Sequence, residues 1–213
     1  EALEGIRVIE VSVGQVGPMA CELLAFFGAE VIRVESLKKV DVTRTQRGFA
    51  TRNPRGLDQM PQLNYLNLNK LSARLDMSTP RGIELAKGLV KQSDILVENF
   101  SAGAIDRLGL GYGVVKGLKP DIIMASASGS GSTGPEAGML GFAPIFVYLS
   151  GLAEMGGYPD GPPFEGRSSA DSINAYTLFF AIMSALWHRQ RTGRGQYIDY
   201  SSREGLACII GDS

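Results

Sequence analysis

Three short segments carry the residues of this chain best suited to chemistry. The first is Ser168-Ser169-Ala170-Asp171-Ser172, where a Gly/Pro-rich stretch meets a long apolar segment. A helix start is a common place for an aspartate that serves only as an N-cap. The small neighbours also leave the Asp171 carboxylate accessible, and glycine-rich loops nearby can present backbone donors to an oxyanion, so a nucleophile is the competing reading. The second segment is the turn Gly14-Gln15-Val16-Gly17-Pro18, set between a predicted strand and a helix N-terminus. Free backbone N–H groups and the helix dipole favour an anion there. Glu35 closes the next strand about where a dinucleotide fold holds a ribose. The nicotinamide fingerprint, however, needs a third glycine for close helix packing, and this turn has two, followed by Pro18. The third segment is Val97-Glu98-Asn99-Phe100, followed by Asp106, Arg107 and Leu108. A polar pair at a strand's carboxyl end lies on the edge where open α/β sheets bind ligands. The alternative is that Asn99 caps a helix beginning near Ser101 while Arg107 faces water.

The elements that must position these residues are legible in the hydrophobic pattern. Ile6 to Val13 reads as a buried strand, about Met19 to Phe27 as an apolar helix stopped by Gly28, and Glu30 to Glu35 as a second strand. Strand, turn, helix and strand in this order make a βαβ unit, which builds a parallel sheet. The pattern recurs with a helix from Pro80 to Gln92 and strands at Asp94 to Val97 and Asp121 to Ala125. Two loops, Ser126 to Gly138 and Glu154 to Ser169, bracket a helical stretch from Phe142 to Leu152. A buried helix from Ile173 to Trp187, ending in the basic turn His188 to Arg194, precedes a last strand, Tyr197 to Tyr200. The fold expected is α/β, a doubly wound, mostly parallel, Rossmann-like sheet. From Leu37 to about Leu63 runs a long loop holding Arg44, Arg47, Arg52 and Arg55, of a length that is usually functional or mobile.

Bulk properties narrow the function. With 213 residues, 44% of them apolar, one large domain with a continuous core is expected. A formal net charge of -1 supplies no basic field that would gather nucleic acid or an anionic membrane, so any anion site is local. Cys21 and Cys208 lie far apart in apolar surroundings and read as buried free thiols. No ligand cluster of metal-binding spacing is present. No apolar run approaches the ~18 residues of a membrane span, and the start is neither a signal peptide nor a transit sequence, which implies the cytoplasm or an organelle matrix.

The motifs also stand in a recognisable order: Leu3-Glu4-Gly5-Ile6-Arg7-Val8, Gly17-Pro18, Gly28 to Glu35, Asn69-Lys70 before Leu75-Asp76, Val97 to Phe100 with Arg107-Leu108-Gly109, and Thr192 to Gln196. In order and spacing they resemble the class III CoA-transferases, the family of the formyl-CoA:oxalate and carnitine CoA-transferases. That resemblance implies an enzyme moving coenzyme A from an acyl-CoA to a carboxylic acid, with CoA thioesters as substrates and neither a tightly bound cofactor nor a metal. It implies Asp171 as nucleophile, Gln15 and Val16 along the CoA channel, Asn99 and Phe100 at the nucleotide portion, and Arg107 with Leu108 flanking it. Residues 1–213 would then be the CoA-binding and catalytic large domain, with a smaller second domain and a C-terminal return lying outside this chain. An interlocked homodimer is the expected assembly, with heteromeric pairing the alternative.

Some positions depart from the family pattern. Ala170 stands where glycine is common, and Ser36 where a basic residue can follow the strand glutamate, with Lys38 and Lys39 just beyond and Arg44 and Arg47 as possible replacements. A racemase branch shares these motifs but pairs the aspartate with a histidine, since α-proton exchange needs two positioned groups. That histidine position aligns with Phe142, and the single histidine, His188, reads as a helix C-terminal cation. A non-catalytic CoA-binding chain, or a subunit supporting a catalytic partner, is the remaining alternative. The loop from Met155 to Pro163 is expected to shape the acyl site.

Overall fold

The sheet is built on β1 (Arg7–Val11), whose alternating side chains serve two cores. Val8 faces one layer of helices, while Ile9 and Val11 face the other, as the two-residue period of a strand dictates. A computed structural model describes residues 1–36, 38–45, 57–164 and 167–211. After β1 come α1 (Val16–Phe26), β2 (Glu30–Glu35), α2 (Val42–Thr45), α3 (Pro61–Tyr65) and β3 (Lys70–Arg74). Next are α4 (Pro80–Lys91), β4 (Ile95–Glu98), α5 (Ala104–Arg107), α6 (Tyr112–Leu118) and β5 (Ile123–Ser128). The chain continues through α7 (Ala143–Leu149), α8 (Leu152–Met155), α9 (Arg167–Thr192), β6 (Tyr197–Ser201) and α10 (Ser202–Ile210).

The six strands run parallel in the order β3-β2-β1-β4-β5-β6. Strand order therefore reverses between β1 and β4, and the crevice outside their carboxyl ends is where a doubly wound sheet receives ligands. One face packs Val31, Ile95 and Ile123 against Leu24 of α1 and Leu178 and Ile182 of α9. The opposite face packs Leu96 and Met124 against Ala86 and Val90 of α4 and Val115 of α6. Each large side chain fully buried in this way contributes roughly 1.5–3 kcal/mol relative to exposure.

Several expected boundaries move. The long helix begins at Arg167 rather than Ile173 and absorbs most of the basic turn. The helix expected from Phe142 to Leu152 is two helices, broken where Gly151 takes φ +85°. β5 extends through Ser128, so the small residues at its end are strand rather than loop. β3 was not expected: Lys-Leu-Ser-Ala-Arg has no apolar run because it is an edge strand, with Leu71 57% exposed. Of the two thiols, Cys21 is buried as expected, but Cys208 is exposed on α10.

Candidate active site

The turn after β1 is held from two sides. Val13 N–H donates to Asn99 Oδ1 at 2.8 Å, and Asn99 Nδ2 donates to Val13 O at 2.6 Å, which ties the carboxyl ends of β1 and β4 together. Gly14 takes φ +72°, a backbone state other residues rarely adopt, and its N–H donates to the Asp41 carboxylate at 3.3 Å. Gly17 has a different reason: a Cβ there would lie 2.5 Å from Ser12 Cβ. The two glycines thus supply the turn and the close approach, and Pro18 sits within the first turn of α1, where its missing N–H costs nothing. Asn99 does not cap a helix, since Gly103 precedes α5 and offers no side chain.

Beneath this turn lies a sealed set of charges. Arg33 pairs with Asp41 at 2.5 Å and Lys70 with Glu10 at 2.7 Å, and none of the four side chains is more than 3% exposed. Arg33 also reaches Glu35 at 3.4 Å and Glu10 at 3.7 Å. Lys70 Nζ donates to Pro18 O at 2.7 Å, and Asp41 accepts from Thr43 N at 2.7 Å and Thr43 Oγ1 at 2.8 Å. Edge strand β3 is thereby linked through buried ions to the start of α1.

Asp171 stands in the second turn of α9, past the position a cap occupies. Its carboxylate has no hydrogen-bond or ion-pair partner among the described residues. Burial alone pushes the carboxyl above its ordinary value. It opens into a cleft of about 650 Å³ that Gln15, Val16, Asn99 and Phe100 also line. Four residues expected at the CoA channel and nucleotide portion are therefore brought together with the expected nucleophile at the strand-order reversal. The cleft wall from α7 and its approach carries Leu140 and Phe142, 74% and 81% exposed. Phe146 instead packs inward, so tightly that a Cβ on Gly129 would fall 2.1 Å from its ring.

Arg107 and Leu108 line an adjoining cleft of about 440 Å³ that shares Val13, Phe100 and Ser101 with the first. Lys38 and Lys39 line it too, and Lys38 pairs with Asp76 at 2.7 Å. That contact holds Asp76 down at about 2. Arg44 is engaged with Glu35 at 2.7 Å and Asp58 at 2.5 Å, so it is not a free phosphate ligand. Arg47, Arg52 and Arg55 lie outside the described residues. His188 lies seventeen residues along α9 from Asp171, about 25 Å at the helical rise, too far to act with it on one carbon. Among the described residues no group of three His, Cys, Asp or Glu side chains is arranged to hold a metal, and no helix is long and apolar enough to cross a membrane.

Sequence reading missed the support of the site. Asp41, Arg33 and Lys70 were not singled out as a unit, and only the parallel pairing of β1, β2 and β3 brings them together in the interior. It also missed Asn174 and Ser202 in the cleft wall. Asn174 follows Asp171 by three positions, the spacing that shares a helix face, and that was the available signal.

Fold and site together define a doubly wound α/β protein with a cleft at the strand-order reversal and, lining it, a carboxylate without a partner among the described residues. The chain belongs to CoA-transferase family III, whose family model matches residues 3–213. It is 39% identical over 213 residues to an acyl-CoA transferase of Fusarium pseudograminearum, covering 98% of this chain and 47% of that protein. It is 37% identical over 209 residues to the succinyl-CoA–D-citramalate CoA-transferase of Chloroflexus aurantiacus, covering 98% and 51%. To the formyl-CoA:oxalate CoA-transferase of Streptomyces coelicolor it is 35% identical over 209 residues, covering 97% and 49%. Among solved structures, a CAIB/BAIF family protein from Brucella suis superimposes with a TM-score of 0.87 at 32% identity, covering 99% of this chain and 55% of that one. The chain thus spans about half the length of the relatives it matches.

Proposed function

We propose that this chain is the CoA-binding, nucleophile-bearing part of an enzyme that transfers coenzyme A from an acyl-CoA to a carboxylic acid. The observation that carries the reading is the half-buried Asp171 carboxylate, past the capping position of α9, without a partner among the described residues, and facing the turn at Gln15 and Val16 across one cleft. A cap or a structural ion pair would show a partner. A partly desolvated carboxylate with no partner among the described residues is available as a nucleophile.

A lone pair of an Asp171 oxygen adds to the thioester carbonyl carbon, and collapse of the adduct breaks the C–S bond, leaving an acyl-aspartyl anhydride and CoA thiolate. The thiolate attacks the aspartyl carbonyl and releases the donor acid, giving an aspartyl-CoA thioester. The acceptor carboxylate opens that thioester, and the returning thiolate then takes the acceptor acyl group and frees Asp171. Each step exchanges one acyl bond for another, so no redox partner is needed, and splitting the exchange lowers each barrier. Pantetheine would follow the cleft past Gln15 and Val16, with the nucleotide over Asn99 and Phe100 and into the adjoining cleft beside Arg107, Leu108 and Lys39.

The test is intact mass of the full-length protein after incubation with a panel of acyl-CoAs, beside Asp171→Ala. A CoA-sized gain that maps to Asp171 and vanishes in the variant is expected. Tight CoA binding with no adduct from any donor would refute the reading.

A further inference from the structure

Asn174 lies one helical turn beyond Asp171 on α9, and both side chains line the same cleft. Its side chain is held firmly. The residue is 2% exposed, and Oδ1 accepts a hydrogen bond from the Tyr200 hydroxyl at 2.7 Å. Burial pushes that hydroxyl up to about 12, so it remains a donor at any ordinary working pH. The contact depends on Gly205: a Cβ there would fall 2.1 Å from Tyr200 Oη and 2.8 Å from Asn174 Oδ1. With Oδ1 engaged by the Tyr200 hydroxyl, Nδ2 is the amide's remaining hydrogen-bonding end. Among the described residues Nδ2 has no acceptor, yet it is not among the polar atoms sealed away from solvent without a partner. Asn174 lines the cleft that holds Asp171, and Nδ2 is its unengaged polar atom among the described residues.

We propose that Asn174 is a catalytic residue whose Nδ2–H donates to the oxyanion formed when Asp171 adds to the thioester carbonyl. The inference rests on the transferase reading given above. As the C–O bond forms, the carbonyl π pair moves onto oxygen, and negative charge appears there until the C–S bond breaks. A neutral amide suits this task, because it stabilises the developing charge without pairing with and quieting the Asp171 carboxylate beforehand. A donor fixed in place before the reaction needs no reorganisation in the transition state. Tyr200 is then a positioning residue, acting through Asn174.

The test uses the full-length protein, with steady-state exchange and the single-turnover rate of adduct formation on Asp171 read by quenched intact mass. Asn174→Ala is expected to lower kcat and the single-turnover rate by about 10²–10³-fold, the range for loss of one oxyanion donor, with donor KM changed by less than about threefold. Tyr200→Phe keeps Nδ2 but frees the amide to rotate, so a smaller kcat loss with unchanged KM is expected. Should Asn174→Ala fail to fold, Tyr200→Phe carries the test by the same split. An Asn174→Ala protein with near wild-type single-turnover rates, or a Tyr200→Phe protein with unchanged kcat, would overturn the assignment. If wild type exchanges CoA and these variants do too, only the role of Asn174 falls. If wild type forms no adduct with any acyl-CoA, the transferase reading falls and takes this role with it.

Discussion

Replacing Asp41 tests whether the buried charges under the first turn hold the site. Asp41→Ala removes the 2.5 Å partner of Arg33 and the acceptor for Gly14 N, Thr43 N and Thr43 Oγ1. Breaking a buried pair by deleting one member costs about 3–5 kcal/mol, because the other charge stays desolvated. Arg33 keeps Glu35 at 3.4 Å and Glu10 at 3.7 Å, which places the expected loss near the lower end, about 3 kcal/mol. Asp41→Asn retains an acceptor for Gly14 and Thr43 while losing the charge, so the gap between the two variants reports the hydrogen bonds separately. Chemical denaturation gives the stability. Hydrogen exchange over the segment from Ser12 to Ala20 shows whether the loss is felt at the turn, and donor KM is expected to rise more than kcat falls. A loss under about 1 kcal/mol for Asp41→Ala, the size of a solvent-exposed pair, would refute the view that these charges act as a sealed unit.

Asp171→Asn is expected to abolish exchange yet raise stability at neutral pH: burial raises this carboxyl, so its ionised form weighs against folding, and thermal melts should show the variant at or above wild type. For the same reason the acid limb of exchange should lie above the ordinary aspartate value of ~3.9, and a limb at or below it would contradict the burial. Glu98, 4% exposed and accepting from Phe100 N at 2.8 Å, is also raised by burial. A raised carboxyl means that the folded state binds more protons between the unfolded and folded values, so stability falls as pH rises through that window. Glu98→Gln should therefore gain on wild type from pH ~4 to neutral, and a pH-independent difference would count against it. Lys38→Met should let the Asp76 carboxyl climb from about 2 toward its ordinary value of 3.8, read by NMR titration, and a value still near 2 would deny Lys38 the leading role.

The parallel sheet and the first turn were legible because their signals are local: apolar strands of the right length and a Gly/Pro turn at a fixed place between them. Asp171 could be singled out, but whether it caps α9 depended on where that helix begins, and the start at Arg167 falls among polar residues with no periodic signal. β3 was hidden because an edge strand needs backbone pairing more than apolar side chains. Asp41 and Lys70 were hidden because burial of a charge is a property of tertiary pairing, and no spacing along the chain announces that Arg33 and Glu10 stand beside one another.

Strand order has a consequence for how the site comes into being during synthesis. The turn at Gly14 and its brace from Asn99 need no residue beyond Asn99, so their residues are synthesised before β6. The Tyr200 contact with Asn174 needs β6, which joins β5 in the register Met124↔Tyr197, across more than seventy intervening residues. Such distant pairings form slowly, since a long loop must close before any contact rewards it. A nascent chain is therefore expected to brace the turn at Gly14 before β6 fixes Asn174 on α9.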